Sequence, residues 1–345
     1  MDKDKTKTEP YFAQDIVYNI LLWLPIASLY NASLVCKQWF NIISDPNFRR
    51  AYNLNQGFAL LLQEPSLRFY ETYLIRMKGG LLSKLESTLL PITKRIVSSC
   101  KEFALIKPKV EKPCLCVFNL TTQKTHWLPH GPLSVSHEYL NYYGIGFHPT
   151  TKRYKVVCFG RSIRNNGSRC EVLNQGYTTW RQIDEPVDKY ILPWPCTISI
   201  NGFLYWYGDV FIGTSYKIIS MDLENDKFLE IPMPHTSSLQ RPLCGFELLE
   251  IEGCLSLIEY EEMRQINFEI WSLKDINDGT WERRFRVSLA TIRRNPVLSL
   301  DSLWYIGSLY NGKFLLFKRD NTLDYFVVDV IKCEIKPAPI DIRMK

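Results

Sequence analysis

The chain has 345 residues, long enough for one large domain and one small one. Its 42 basic and 36 acidic side chains leave a formal charge of +6, spread without any block of like charges, which argues against a nucleic-acid arm or a polybasic membrane patch. Hydrophobic residues at 46% and charged ones at 23% are ordinary globular usage, while aromatics at 13% lean toward strands, so a β-rich body is expected.

Residues 1–10, with Lys3, Lys5 and Lys7 among Asp and Thr, read as a disordered, solvated tail. This stretch is polar where a signal peptide needs an apolar run, and nothing approaches the roughly 18 apolar residues of a membrane span. The expectation is a soluble protein of the cytoplasm, the nucleus or both. Most of the ten cysteines sit in apolar runs such as "YKVVCFG" and "CLCVFNL", as reduced core thiols do. Cys114 and Cys116, one residue apart on an expected strand, have only His126 and His130 nearby, which is not the paired spacing of a zinc site. No metal and no cofactor are expected.

Residues 11–52 carry a helical period. Ile16, Ile20, Leu21 and Leu24 recur at three- and four-residue steps, giving a helix that starts near Asp15 and stops at Pro25. A second helix is expected from Ser28 through Leu34. A third is expected over Val35 to Ile43, with Val35, Trp39, Ile42 and Ile43 on one stripe before "SDP" ends it. Three short helices make a core too small to stand without a staple, a metal or a partner, and partner surface is the economical explanation of the surplus apolar residues.

The segment "DIVYNILLWLPIASLYNASLVCKQWFNIISDPNF" resembles an F-box, the module that docks on a Skp-type adaptor within cullin-RING ubiquitin ligases. Leu24-Pro25, Ser28-Leu29 and Val35-Cys36-Lys37-x-Trp39 fall at the family's spacing, whereas Phe12-Ala13 stands where the family usually has Leu-Pro. The resemblance implies adaptor contact by Phe12, Ile16, Ile20, Leu24, Pro25, Leu29, Val35, Cys36 and Trp39, and through the adaptor a link to cullin and RING subunits.

Residues 53–93 read as a connecting segment, with Gly57 to Thr93 able to add strands that complete a ring. Over residues 94–345 one pattern recurs: an apolar hairpin, a loop, a third strand, a turn, and a final strand carrying an aromatic or apolar residue before Pro. Trp127, Trp180, Phe228, Trp281 and Ile335 mark those final strands about 50 residues apart, the period of a four-stranded propeller blade. The hairpins "INGF", "IEGC" and "YNGK" place Gly where a tight turn needs positive φ. The fold class is therefore α+β by domains: a small trihelical unit, then an all-β propeller-like domain of about five to seven blades. By "VFNLTTQKTHWLP", "GIGFHPTTKRYKVV" and "INGFLYWYG" this part resembles the kelch-like F-box-associated interaction domain of plant F-box proteins, although Cys100-Lys101-Glu102-Phe103 replaces that family's Cys-Asn-Gly-Leu turn.

No chemistry stands out. There is no G-x-S-x-G elbow, His148 sits in a turn, and Glu259, Glu261 and Glu262 read as a solvated acidic loop beside Arg264. Two function classes remain: a noncatalytic receptor that holds a target protein for ubiquitination, and a propeller enzyme or glycan-binding module with an incidental F-box. For the receptor, loop length locates the target. The connections at one end are tight, as in "HPTTKR", while those at the other are long, as in "HGPLSVSHEYLNYY" and "DEPVDKYILPWP". Tyr139, Tyr142, Tyr190, Trp194, Phe211 and Tyr216 are the expected aromatic anchors there, and Arg161, Arg164 and Arg169 the charged partners.

Overall fold

The computed structural model describes residues 13–24, 26–45, 47–48, 51–52, 59–65, 69–77, 85–107, 114–120, 122–131, 139–148, 150–162, 168–183, 191–210, 216–234, 246–260, 267–288, 303–309, 312–319, 322, 324–338 and 340. Three helices come first: α1 (Gln14–Trp23), α2 (Ile26–Ser33) and α3 (Lys37–Ser44). The second and third each begin and end about one or two residues away from the expected bounds, and Val35 falls in the turn between them, not on the stripe of α3. Among the described residues the three helices bury Val17, Leu21, Leu29, Ala32 and Ile42 together with Phe48 and Tyr52. Phe48 is fully enclosed, edge-on to Tyr18 at 5.1 Å and stacked on Tyr52 at 5.9 Å.

Six antiparallel sheets follow in chain order, each a meander in which sequential strands pair. Blade one has three described strands, β1 (Ala59–Pro65), β2 (Tyr70–Met77) and β3 (Leu85–Leu90). Blade two is β4 (Arg95–Cys100), β5 (Phe103–Lys107), β6 (Cys116–Asn119) and β7 (Lys124–Trp127). Blade three is β8 (Tyr139–Phe147), β9 (Tyr154–Ser162), β10 (Ser168–Asn174) and β11 (Arg181–Ile183). Blade four is β12 (Ile191–Ile200), β13 (Phe203–Val210), β14 (Tyr216–Asp222) and β15 (Lys227–Ile231). Blade five is β16 (Phe246–Ile251), β17 (Cys254–Tyr260), β18 (Asn267–Asp275) and β19 (Thr280–Ser288); blade six is β20 (Leu303–Leu309), β21 (Phe314–Arg319), β22 (Tyr325–Asp329) and β23 (Glu334–Pro337). The protein is thus a short helical unit followed by a six-bladed β-propeller, and residues 59–90 supply blade one, which completes the six.

Each pair of neighbouring blades shares one apolar layer. Leu105 and Val117 of blade two meet Ile145 and Val156 of blade three, Ile258 and Phe268 of blade five meet Leu315 and Val328 of blade six, and Leu62 and Ile75 of blade one meet Leu316 and Val327 of blade six. The last of these layers joins residues about 250 positions apart and closes the ring. Close approach of blades three and four fixes two glycines: a Cβ on Gly144 would lie 2.5 Å from a Leu204 methyl, and one on Gly146 would lie 2.4 Å from Leu223.

The tight hairpins are rich in left-handed backbone. Asn201-Gly202 and Glu252-Gly253 both have two successive positive φ angles, the twist a two-residue hairpin demands. Blade two turns without glycine and with one positive φ: Cys100 pairs with Phe103 and Lys101 alone takes φ 52. His148 shapes its turn, its Nδ1 accepting from the backbone N–H groups of Thr150 and Thr151 at 3.3 Å.

Two expectations need correction. Glu259 lies in β17, almost fully buried, and is not part of a solvated loop; Glu261, Glu262 and Arg264 are outside the described residues. Cys114 precedes β6 and does not share a strand face with Cys116: its Sγ lies 3.0 Å from His130 Nε2, while Cys116 is buried. Among the described cysteines Cys100, Cys116, Cys158 and Cys170 are buried, and burial pushes their thiols up, that of Cys116 to about 11. Among the described residues no cluster of three metal-ligating side chains occurs, and no helix is long and apolar enough to cross a membrane.

Candidate functional site

The helical unit has two apolar faces. On the inner one, Val17 and Leu21 of α1 pack against Leu29 of α2 and Ile42 of α3, with Leu24 and Trp39 partly buried at the margin. Tyr52 ties the end of the unit to α1, its hydroxyl donating to the Leu24 carbonyl at 2.7 Å, and burial pushes that hydroxyl up to about 12, so it stays a donor. On the outer face Ile16, Ile20 and Trp23 stand at i, i+4 and i+7, one stripe along α1, with Trp23 75% exposed. Leu34 and Val35 on the α2–α3 turn and Phe40 on α3 are also more than half exposed.

The residues expected to contact an adaptor therefore divide. Ile16, Ile20, Val35 and Cys36 are exposed, whereas Leu24, Leu29 and Trp39 belong to the internal core or its margin. Phe12 and Pro25 lie outside the described residues. The period that grouped Ile16 and Ile20 with Leu21 on one face is corrected: Leu21 points inward, Ile16 and Ile20 outward. Trp23, Leu34 and Phe40 were missed by sequence reasoning. The signal for Trp23 was present in its spacing from Ile16 and Ile20.

At the propeller axis the inner-edge strands β1, β4, β8, β12 and β20, with the end of β5, line a half-open cavity of about 670 Å³. Its wall is braced by polar contacts between blades. Gln63 of blade one accepts from the Ile96 N–H at 2.7 Å and donates to the Lys94 carbonyl at 2.8 Å, and Ser98 of blade two meets Thr197 of blade four at 2.8 Å. Arg95 and Lys107 pair at the end of the β4–β5 ladder farthest from its hairpin turn, so the cavity's two cations lie at the end opposite the tight turns.

That is also the end at which the expected target-binding residues fall. Tyr139 opens β8 opposite Ser162, Arg161 of β9 pairs with Ser168, and Tyr216 opens β14 opposite Asp209. Trp194 lies in the irregular stretch of β12 between Pro193 and Thr197, and Arg169 is an exposed residue of β10. These residues, and Tyr142 of β8, are on strands and not on loops as expected. The loops are shorter than they read because the strands of blades three and four are long, up to ten residues in β12. Of this group Tyr142 lines the axial cavity, and Arg164, Tyr190 and Phe211 lie outside the described residues.

A short helical module joined to a six-bladed propeller defines a two-part class of protein, and comparison with known families gives that class its name. The F-box associated beta propeller domain family matches residues 86–331, and the F-box domain family matches residues 14–51. The chain belongs to the F-box proteins that carry an F-box-associated β-propeller. It is similar to a putative F-box protein of Arabidopsis thaliana, 27% identical over 300 residues that cover 78% of this chain and 67% of that protein. A second F-box protein of Arabidopsis thaliana is 23% identical over 338 residues, covering 87% and 78% of the two chains.

Proposed function

We propose that this protein is the substrate-recognition subunit of a cullin-RING ubiquitin ligase, its helical unit docking on a Skp-type adaptor and its propeller capturing a target protein. The observation that supports this reading is the outer stripe Ile16, Ile20 and Trp23, a contiguous exposed apolar face on a module of only about 40 residues, which a partner would cover. The receptor contributes proximity: a target held beside the ligase is modified in an effectively intramolecular step, and no catalytic group of its own is required. Tyr139, Tyr142, Trp194, Tyr216, Arg161 and Arg169, on the end of the propeller away from the tight hairpins, are the proposed target side.

The test is titration of the full chain with a purified Skp-type adaptor. Ile20→Glu with Trp23→Glu should weaken binding by about thirtyfold or more, the effect of losing one interface hot spot, with the propeller's melting unchanged. Adaptor affinity unaffected by both substitutions, or no binding by the parent chain, would sink the proposal.

A further inference from the structure

The axial cavity has a composition that selects its occupant. Leu61 of β1, Ile96 of β4 and Ile306 of β20 give it an apolar wall, and Tyr142 adds an aromatic edge. Arg95 and Lys107 bring two cations to one end, and among the described residues no carboxylate lines it: the acids of the inner-edge strand β16, Glu247 and Glu250, are outside its lining. Lys107 is half-buried with its ammonium 5.2 Å from the Tyr143 ring centre, a position in which an anion gains more than it would in open water. The volume falls within the range of about 300–1,000 Å³ typical of sites for small organic molecules, far more than a bare inorganic ion fills.

We propose that this cavity binds an amphiphilic carboxylate, its apolar body against Leu61, Ile96 and Ile306 and its anionic head between Arg95 and Lys107. The guanidinium of Arg95 offers a planar fork that matches a carboxylate, and the Lys107 ammonium adds a second charge from the neighbouring strand of the same ladder. The carboxylate can arrive on a free small molecule or on the acidic side chain of a polypeptide. Both would enter at the end of the axis where the proposed target residues lie. The site stands on the cavity alone and does not depend on adaptor docking.

The experiment uses the full chain and calorimetric titration with biphenyl-4-carboxylate, with the neutral biphenyl-4-carboxamide, and with a capped pentapeptide of one glutamate flanked by leucines. The carboxylate should bind about tenfold or more tightly than the amide, the difference a charge-assisted hydrogen bond makes. Arg95→Gln with Lys107→Met should erase that preference while leaving circular dichroism and melting as in the parent. Raising salt from about 0.05 to about 0.5 M should weaken the carboxylate and spare the amide, a readout that needs no substitution. A peptide that outbinds the biphenyl acid identifies a polypeptide side chain as the source, and the reverse order identifies a free molecule. Equal binding of acid and amide, insensitivity to both substitutions, or no saturable binding of any probe would overturn the proposal, whatever the adaptor titration gives.

Discussion

The indole N–H of Trp281 in β19 donates to the carbonyl oxygen of Pro232, just beyond β15, at 2.8 Å. The same bond recurs two blades earlier, where Trp180 donates to Pro129, just beyond β7, also at 2.8 Å. In each case a tryptophan on or beside the outer strand of one blade reaches back to the chain leaving the outer strand of the blade before it. The recurrent aromatic and the recurrent Pro are therefore two ends of one inter-blade latch. The fit is close at the first site, where a Cβ on Gly279 would come within 2.4 Å of the Pro232 ring.

Replacing Trp281 by Phe keeps most of the ring and removes the donor, leaving the Pro232 carbonyl to water. The expected loss is about 1 kcal/mol of unfolding free energy, with Trp180→Phe costing a similar amount. The two sites are far apart, so the double variant should show the sum. Urea denaturation checks this, and a double variant as stable as the parent would mean that the latches are geometric only.

The ring is closed by charge as well as by apolar packing. Glu64 of β1 accepts from both the Lys318 ammonium and the Tyr325 hydroxyl of blade six, more than 250 residues away, and all three groups are largely buried. Burial first, and then the hydrogen bond to Glu64, push the Tyr325 hydroxyl far up, so it remains a donor throughout the usual pH range. Glu64→Ala strands the Lys318 cation and should cost about 2–4 kcal/mol, at the lower end of what breaking a buried pair does because water reaches this one in part. Glu64→Gln keeps the acceptor for Tyr325 and should cost less. Equal melting temperatures for the parent and the alanine variant would show that apolar packing alone holds the ring.

Glu247 on β16 gives the propeller a pH dependence. Burial pushes its carboxyl up from the ordinary 4.5 to about 7. In the unfolded chain the group ionises near its ordinary value, whereas the folded chain retains the proton until about pH 7. Its stabilising contribution is therefore fully present below about 4.5 and is lost as pH rises to about 7. Glu247→Gln removes this dependence, so the variant should be more stable than the parent at about pH 8, with the gap closing on acidification through that window. Melting curves of both proteins across the window test it, and a gap that stays constant would show that Glu247 ionises in the folded protein much as it does in the unfolded one.

The blade repeat was legible because it is written in turn chemistry and in aromatic outer strands. Asn201-Gly202 and Gly253 announce their hairpins, and Trp127, Trp180, Phe228 and Trp281 fall on or beside the outer strands β7, β11, β15 and β19. Blade one was harder to read, because β3 carries no aromatic marker and no glycine stands between β1 and β2. Left-handed turns at Lys101, Gln123 and Cys333 are also silent in sequence, since the tertiary fold imposes a backbone these residues do not prefer. The first residues of β8, Tyr139 to Tyr142, read as loop because Asn141 interrupts their apolar run, whereas "YGIGF" read as strand, its Gly144 and Gly146 being there for close blade contact and not for turning. In α1 the two faces could not be told apart by period alone: the inward pair Val17 and Leu21 is no more apolar than the outward pair Ile16 and Ile20. The axial cavity was invisible because its wall comes from six strands scattered over about 245 residues.

That ambiguity in α1 leads to the last expectation, which separates holding the helices together from contacting a partner. Leu21 is fully enclosed, and Leu21→Ala should cost about 2–5 kcal/mol, enough to unfold a module with so few core residues. Trp23 is 75% exposed and packs on nothing in the helical core, so Trp23→Ala should leave the helical circular dichroism and melting of the unit unchanged. Trp39 lies between these cases, half-buried against the core with part of its ring outside, and Trp39→Ala should lower both stability and adaptor affinity. The three variants therefore give distinct signatures when helix content and adaptor binding are measured side by side: loss of both for Leu21→Ala, loss of binding alone for Trp23→Ala, and partial loss of each for Trp39→Ala. If Trp23→Ala bound the adaptor as the parent does while Trp39→Ala lost binding with its helices intact, the docking surface would move from the outer stripe of α1 to the α3 side of the unit.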